Sequence, residues 1–403
     1  MANSDISPDI LVVGGGPAGL IATLVLAQTG YRVLCVDRGP REIPIDEGDL
    51  RSTAFLTPSI QLLETAQIWD RLAPHAADLR VMRIAESLDG EVTQSVDFTP
   101  EAANKTRFGG NVPNTHLRTT LLAAIDDAPN AEFAAETSVL RMTARDTEAL
   151  VKLSNGETLR PALVVAADGR ASTLRDIADI KVTKTSYGQK ATVFAVEHEA
   201  AHEGISTEVH QTGGPFTLVP LAGADMTRSA VVWMDSGPRT RDRAEMDAET
   251  FGAEANLRSA GVLGLLRLAS KHAIWPIITQ VAQRLDGPRL ALLGEAGHVV
   301  PPIGAQGLNM SLTDIADLAQ RIEAAPNRDA IGAPNLLAAY TSARLPDIRM
   351  RATGIDVLNR ASIAGGPVIE AARRYGLSAL GRSNFLRETA IQTGLGMDRE
   401  RRG

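Results

Sequence analysis

Cysteine is almost absent from this sequence of 403 residues, in which Cys35 is the only one. A disulfide framework is therefore excluded, and a reducing compartment fits. The sequence also shows no N-terminal signal pattern, no apolar run of membrane-spanning length, no internal repeat and no low-complexity tract. We therefore expect a cytoplasmic protein, and peripheral contact with the inner membrane stays open.

A basic excess is absent too. Lysine and arginine total 41 against 48 aspartates and glutamates, a formal net charge of −7. Nucleic-acid partners usually require an excess of positive charge, so we expect none here. The hydrophobic fraction of 44% and the length predict a globular chain of two or three domains.

A glycine-rich stretch near the N-terminus carries the most specific signal. The apolar run 10–13 is typical of a parallel strand buried on both faces. A G-x-G-x-x-G motif follows, at Gly14, Gly16 and Gly19. Its glycines allow a tight turn, close approach of a pyrophosphate and close packing of the next helix, and Pro17 suits the first turn of that helix.

An acidic residue ends the second predicted strand, residues 31–36. Asp37 lies 37 − 19 = 18 residues after Gly19, where a carboxylate meets a ribose hydroxyl in dinucleotide-binding folds. Strand, glycines, helix, strand and acid in this order predict an adenine dinucleotide and leave FAD and NAD(P) open. A glycine-rich turn without a ligand is the alternative.

Two more apolar strands end in glycine beside an acid. One leads to Asp168-Gly169, with Arg175 offering the aspartate a charge partner near a phosphate or ribose. The other, residues 290–293, leads to Gly294-Glu295 and a helix that begins near residues 307–309. Ligands of open α/β sheets bind at the carboxyl ends of strands, so three such ends suit a long dinucleotide.

These three motifs resemble those of the flavin-dependent aromatic monooxygenases of the para-hydroxybenzoate hydroxylase type, over nearly the whole chain. Within that family the sequence is similar to the ubiquinone-biosynthesis hydroxylases. The stretches that carry this likeness are residues 47–74, Pro220 within LVPL, the Trp275-Pro276 step and residues 376–397.

The resemblance implies FAD as the cofactor and a set of residues around it. These are Gly14, Gly16, Pro17, Ala18, Gly19, Asp37, Arg38, Arg51, Asn114, Arg118, Asp168, Gly169, Arg175, Gly294, Glu295, Pro302, Gly304, Ala305, Gln306, Gly307, Leu308 and Asn309. Glu295 stands where the family usually has aspartate. The helix N-terminus near residues 307–309 would bring partial positive charge to the flavin.

The resemblance also implies an enzyme that uses O2 and NAD(P)H and transfers one oxygen atom through a C4a-hydroperoxyflavin. Pro302, Gly304 and His298 are the predicted catalytic positions, with a loop-holding role as the alternative for His298. The predicted substrate is a prenylated phenol of ubiquinone biosynthesis. A hydroxylase of small soluble aromatics, a flavin reductase of isoprenoid chains and a non-catalytic flavoprotein of a quinone-biosynthesis complex remain alternatives. The oligomeric state stays open.

The predicted fold class is α/β, a Rossmann-like FAD-binding domain with an inserted antiparallel-sheet substrate domain and a C-terminal helical region. The FAD-binding domain is assigned residues 1–75, 104–182 and 289–340, the substrate domain 76–103 and 183–288, and the helical region 341–403. Helices are predicted at 57–72, 113–127, 245–270, 334–360 and 366–396, and Asn155-Gly156 predicts a hairpin.

One motif points elsewhere. His198 to His202 spells H-E-x-x-H, the zinc-protease signature, which requires both histidines on one helical face. It follows a strand-like stretch, and Gly204 comes two residues later, so the sequence favours a strand end, and we expect no metal site.

Overall fold

The structure is a computed structural model, and it describes residues 7–44, 51–100, 107–211 and 213–363. The strands, numbered in chain order, are β1 Ile10–Val13, β2 Val33–Val36, β3 Ser52–Leu56, β4 Ala77–Leu79, β5 Val81–Leu88, β6 Glu91–Phe98, β7 Gly109–Pro113, β8 Ala131–Ala134, β9 Val139–Ala144, β10 Ala149–Leu153, β11 Thr158–Leu159, β12 Leu163–Ala166, β13 Val182–His198, β14 Ile205–Gln211, β15 Gly214–Pro220, β16 Arg228–Ser236, β17 Leu266–Leu268, β18 Ala273–Ala282, β19 Asp286–Gly287, β20 Leu290–Leu292 and β21 His298–Val299. The helices are α1 Pro17–Ala27, α2 Thr57–Thr65, α3 Trp69–Leu72, α4 Asn114–Asp127, α5 Thr173–Ile177, α6 Gly237–Ala244, α7 Ala248–Ser259, α8 Gln306–Glu323 and α9 Pro334–Ile363.

A six-stranded sheet, which we call the nucleotide sheet, contains the N-terminal strand. Its order is β19-β20-β12-β1-β2-β8, and all its pairs are parallel except β19 with β20. Every residue of β1, β12 and β20 is buried. Helices α4 and α8 both contact α1, whose residues from Gly19 to Ala27 are all buried. Burial on both faces explains the unbroken apolar runs of these strands.

A nine-stranded sheet, which we call the large sheet, lies beside it. Its main path runs β21-β18-β13-β16-β15-β14-β5-β6, and β17 pairs with β13. β5 pairs with β14, which confirms that the strand-like patches of residues 80–98 join a second sheet. One face of the large sheet packs Phe194, Phe216 and Trp233 against Phe251 of α7. The fold class is therefore confirmed as α/β, with a second sheet between segments of the nucleotide sheet that is antiparallel except where β14 pairs with β5.

Two small sheets complete the fold, β3-β7-β4 and the meander β9-β10-β11. In the meander, β10 and β11 are antiparallel around the predicted Asn155-Gly156 turn, where Gly156 has φ +94°. The amide of Leu153 donates to the carbonyl of Glu157, so the loop is longer than the two-residue turn expected.

Several predicted helices differ in extent. The helix expected at residues 57–72 is broken into α2 and α3, because Gln67 has a left-handed φ of +57°. Region 245–270 contains one helix, α7, followed by strand β17. Helix α9 passes without a break through the predicted domain limit at 340/341. The helix expected at residues 366–396 lies outside the described residues, and the domain limits stay predictions.

Among the described residues, no helix is both long and apolar enough to cross a bilayer.

Candidate active site

Three strand ends of the nucleotide sheet meet at one edge. β1 lies between β2 and β12, and β12 lies between β1 and β20, with Val13 opposite Ala166 and Ala166 opposite Leu292. The loops that follow are in contact, since a Cβ placed on Gly14 would lie 2.9 Å from the Cα of Asp168. A Cβ on Gly294 would lie 3.4 Å from the Cβ of Ala18. The structure therefore brings together the three glycine-marked strand ends.

The three glycines of the first motif are needed for different reasons, two for the fold and one for the ligand. Gly14 has φ +113°, and a Cβ there would lie 2.3 Å from the carbonyl oxygen of Ala167. A Cβ on Gly19 would lie 1.9 Å from the carbonyl oxygen of Gly14. Gly16 is exposed, has φ −74°, and would have no heavy atom within 4 Å of its Cβ. The protein itself therefore requires Gly14 and Gly19, whereas the open space at Gly16 fits a pyrophosphate that approaches the backbone.

Asp37 and Arg118 hold this glycine loop from two sides. The carboxylate of Asp37 accepts hydrogen bonds from the amides of Gly15 at 2.5 Å and Gly39 at 2.7 Å. The guanidinium of Arg118 donates to the carbonyls of Gly15 and Pro40. Asp37, predicted to meet a ribose, thus also orders the loop that would bind the pyrophosphate. Arg38, beside it, is exposed.

The second motif corrects one prediction. Arg175 is 5% exposed and donates to the carbonyls of Arg170 at 3.2 Å and Ala296 at 3.1 Å. It therefore ties the second motif to the third, and the predicted charge pair with Asp168 is wrong. Asp168 accepts from the amide of Leu174 at 3.2 Å, while its Oδ1 is buried with no hydrogen-bond partner in the described part of the chain. An unpartnered buried carboxylate oxygen beside the glycine loop is consistent with a missing ligand donor.

The third motif leads into α8 through a left-handed turn. Gly304 has φ +62° and Ala305 has φ +56°. Asn309 accepts from the amide of Leu56 at 2.9 Å and donates to the carbonyl of Ala54 at 2.8 Å, which fixes α8 to β3. Gly307 is exposed in the first turn and would have no heavy atom within 4 Å of a Cβ. The N-terminus of α8 is therefore a place where an electron-rich ligand edge can meet helix amides.

Two further predicted residues lie beside β3, Asn114 at the start of α4 and Arg51 just before the strand. The hydroxyl of Thr53 donates to the side-chain oxygen of Asn114 at 2.7 Å, and Asn114 is 6% exposed. The guanidinium of Arg51 lies 4.3 Å from the ring centroid of Trp275. Arg51 thus connects the nucleotide-binding part of the chain with β18 of the large sheet.

His298 does not face the site. It is 2% exposed, and its Nε2 lies 2.6 Å from a carboxylate oxygen of Asp314 on α8. Asp314 also accepts from Arg344 of α9 at 2.8 Å. This burial and bonding argue against the catalytic assignment of His298 and favour the loop-holding role, the alternative that the sequence left open.

An apolar cavity of about 140 Å³ lies between the third motif and the large sheet. Its walls include Glu295, Pro301 and Pro302 on one side and Ala191, Val193, Ala230, Val232 and Ile277 on the other. Arg51, Arg170 and Trp275 also line it, and Arg170 lies 5.2 Å from the ring centroid of Trp275. Two of these residues were not predicted as site residues from the sequence. Arg170 directly follows Asp168-Gly169, and Trp275 was noted only as part of the family likeness.

A second, more open cavity of about 880 Å³ shares Arg51, Ser52 and Ala230 with the first. Its other walls include Ala195, Leu221, Ala269 and the stacked imidazoles of His75 and His116, whose centroids are 4.6 Å apart. Burial and the neighbouring His75 lower the pKa of His116. The two cavities therefore lie next to each other along one face of the large sheet.

The H-E-x-x-H stretch has no metallopeptidase geometry. His198 ends strand β13, and its ring bonds the carbonyl of Ala200 and the hydroxyl of Ser229. His202 bonds the carbonyl of Leu221 and accepts from the amide of Gly204. All four ring nitrogens are used within the protein, and no group of three or more potential metal-ligating side chains occurs in the described residues.

A Rossmann-like sheet with three converging strand ends and an adjoining cavity is typical of dinucleotide-dependent oxidoreductases. Sequence comparison makes this specific. The sequence model of the FAD binding domain family matches residues 7–352, so the chain belongs to that family, and it is a flavin-dependent monooxygenase.

Two relatives extend over almost the whole chain. Ubiquinone hydroxylase UbiL of Rhodospirillum rubrum is 33% identical over 399 residues, which are 98% of this chain and 91% of that protein. The 3-demethoxyubiquinol 3-hydroxylase of Escherichia coli is 27% identical, over 96% of this chain and 98% of its own length.

Solved structures share the fold. The p-nitrophenol 4-monooxygenase PnpA of Pseudomonas putida superposes with a TM-score of 0.79 at 19% identity, over 96% of this chain and 98% of that one. HpxO of Klebsiella pneumoniae in complex with FAD and uric acid gives a TM-score of 0.78 at 18% identity, with 96% of each chain covered.

Proposed function

We propose that this protein hydroxylates the aromatic ring of a prenylated phenol in ubiquinone biosynthesis, with bound FAD, O2 and NAD(P)H. The observation that carries the proposal is the apolar cavity between Pro301-Pro302 and the large sheet. It supports a planar apolar substrate beside the third motif, and the ubiquinone hydroxylases among the relatives support its class.

The predicted cofactor residues are proposed to hold FAD along the edge of the nucleotide sheet. Gly16 would face the pyrophosphate, the loop ordered by Asp37 would meet the adenosine ribose, and Glu295 would meet the ribityl hydroxyls. Amides at the start of α8, near Gly307 and Leu308, would favour negative charge on the reduced ring. FAD would supply the redox chemistry: with two electrons from NAD(P)H and a proton, one atom of O2 enters the substrate and the other leaves as water.

The protein's own contribution is placement and exclusion of water. Ala191 and Val193 alternate with residues that face the opposite side of β13, so their side chains give the cavity a flat apolar wall. Pro301 and Pro302 close the other side with a stiff backbone. An apolar site of this kind orients a ring and keeps bulk water from the reacting atoms.

The second cavity supports a lipid tail on the substrate. Small side chains continue from Val193 to Ala195 along β13, and Ala230 belongs to both cavity walls. A chain attached to a ring in the first cavity can therefore follow the sheet into the second. The volume of about 880 Å³ is within the range of ordinary ligand sites.

The test measures NAD(P)H oxidation, O2 uptake and hydroxylated product with phenols that carry isoprenoid tails of increasing length or none. We expect purified protein to be yellow, to release FAD on denaturation and to prefer tailed phenols. Ala195→Trp should raise KM for long-tailed phenols about tenfold and leave tail-less phenols nearly unchanged.

Ala201→Trp is the matched control, because Ala201 is exposed and lines neither cavity. A preference for tail-less phenols would support the small-aromatic alternative. Product-free binding of phenols, with no NAD(P)H or O2 consumed, would contradict the proposed hydroxylation.

A further inference from the structure

A buried chain of polar contacts begins behind the third motif. His298 contacts Asp314 at 2.6 Å, and Arg344 donates to the other oxygen of Asp314 at 2.8 Å. The side chains of all three are about 1% exposed. The contacts connect β21, α8 and α9.

The chain continues along α9 and returns to the start of α8. Arg344 donates to Asp347 at 3.0 Å, and Arg351 donates to the other oxygen of Asp347 at 3.2 Å. A second guanidinium nitrogen of Arg351 donates to the side-chain oxygen of Gln306 at 3.0 Å. Gln306 in turn donates to the carbonyl of Gly304 at 3.1 Å. The contacts therefore form a ring that leaves the backbone at residue 298 and rejoins it at residues 304–306.

The backbone enclosed by this ring is residues 299–305, which contain Pro302 and Gly304. Residues 300–305 have no helix or strand, and Pro302 and Gly304 are exposed. Ala305 has φ +56°, a left-handed conformation that is strained for a non-glycine residue and persists only where its surroundings hold it. The ring holds the segment at both ends and so restricts the conformations open to it.

The burial of these charges is itself informative. Replacing a buried ion pair by apolar side chains is often neutral or stabilising, so stability alone does not require Arg344 with two carboxylates in the interior. Directional hydrogen bonds at both ends of a segment instead select one conformation of it. The segment selected here is the one that the proposed function places against the flavin ring.

We propose that Arg351, with Asp347, is a positioning residue for the flavin. Through Gln306, Arg351 holds residues 301–306 in the conformation that receives the isoalloxazine of the flavin. This inference rests on the proposed placement of FAD at the third motif. Arg351 touches no reacting atom in this scheme, and its effect passes through Gln306 and the first turn of α8.

The experiment titrates FAD into apoprotein and follows flavin fluorescence and the visible absorption of the bound flavin. Arg351→Met should weaken FAD binding about tenfold and shift the visible bands, because the side-chain oxygen of Gln306 loses a charged donor. Arg351→Lys should restore part of the affinity. The melting temperature of the apoprotein should stay close to that of the wild type, because Arg351 is less buried than Arg344.

Arg349→Met is the control, because Arg349 is an exposed arginine of α9 that donates to the carbonyl of Gln283 and contributes nothing to the ring. Gln306→Ala completes a double-mutant cycle with Arg351→Met. If Arg351 acts through Gln306, the double variant should bind FAD about as weakly as the weaker single variant.

Equal FAD affinity in Arg351→Met and Arg349→Met would overturn the inference, as would fully additive losses in the cycle. A loss of FAD affinity that only tracks a lower melting temperature, with no rescue by lysine, would show a purely structural role and also overturn it. Failure of the flavin placement itself is distinguishable, because Gly16→Val would then retain FAD.

Discussion

The nucleotide sheet and the large sheet lie on two sides of the same cavity, and they contribute different kinds of chemical groups to it. β1, β12 and β20 are buried on both faces, so only their ends are available to a ligand. β13 of the large sheet instead alternates, with Phe194 in the aromatic core under α7 and Ala191 and Val193 in the cavity wall. One sheet offers backbone amides and glycines, and the other offers side chains.

This difference separates cofactor from substrate recognition. Glycines and amides at strand ends bind groups common to every dinucleotide, and their spacing is set by backbone geometry. A wall of side chains on alternate positions can be reshaped one residue at a time without moving the strands. The comparison predicts that changes at the strand ends affect folding or FAD, whereas changes on the cavity face of the large sheet affect substrate choice.

The largest effects are expected at Gly14 and Gly16, where substitution should affect folding in one case and FAD binding in the other. Gly14→Ala should prevent folding, since its Cβ would lie 2.3 Å from the carbonyl oxygen of Ala167 at a φ of +113°. Gly16→Val should fold and lose FAD by more than about 100-fold, because the added side chain would occupy the pyrophosphate space. Circular dichroism and FAD titration of both variants check this. Folded Gly16→Val with full flavin content would contradict the motif assignment.

The next largest effects are expected at Val193 and Phe194, neighbours whose side chains lie on opposite faces of β13. Phe194→Ala should cost roughly 3–5 kcal/mol in the free energy of unfolding, because it leaves a cavity among packed rings. Val193→Ala should cost roughly 2 kcal/mol or less and change KM for the phenol more than kcat. Urea unfolding and steady-state kinetics distinguish the two. Similar stability losses with no change in KM would remove the distinction between the faces.

A smaller effect is expected at Asp37. Asp37→Ala removes the acceptor of the Gly15 and Gly39 amides and should weaken FAD binding about tenfold, less than Gly16→Val. Arg38→Ala, at an exposed neighbour, is the control and should change the affinity little. FAD titration measures both. A larger loss at Arg38 than at Asp37 would reverse the assigned importance of the two side chains.

The smallest effect is expected at the end of β13, away from the glycine motifs of the nucleotide sheet. Burial lowers the pKa of His198 and His202 from the ordinary 6.5, and Nδ1 of His202 must stay unprotonated to accept from Gly204. The folded protein then binds fewer protons than the unfolded chain, so this stability is present above pH 6.5 and is lost as the pH falls. The apoprotein should melt at a slightly lower temperature at pH 5.5 than at pH 7.5.

His202→Asn keeps an acceptor in place of Nδ1 and removes the titrating group. Its melting temperature should therefore depend less on pH over this range than that of the wild type. An unchanged pH dependence would show that other groups account for the acid sensitivity.

Much of the nucleotide sheet was predictable, because its signals are local. Apolar runs, glycine spacing and terminal acids each report the backbone around them, and β1, β12 and β20 occur where they indicated. Predictions of side-chain partners were less successful, because these partners lie far away in the sequence. Arg175 was expected beside Asp168 because both lie in one motif, but its guanidinium reaches the carbonyl of Ala296. His298 follows the strand end in sequence, yet its ring turns inward to Asp314.

By itself the sequence determined the dinucleotide motif, the succession of strand, helix and strand along the chain that carries it, and the α/β class. These follow from backbone sterics and from hydrophobic patterns within about 30 consecutive residues of a βαβ unit. Only the tertiary structure decided which face of β13 lines the cavity, which partner each buried charge takes and how α9 reaches the start of α8. Those features depend on register and on contacts between distant segments, as between Arg351 and Gln306, and no local pattern records them.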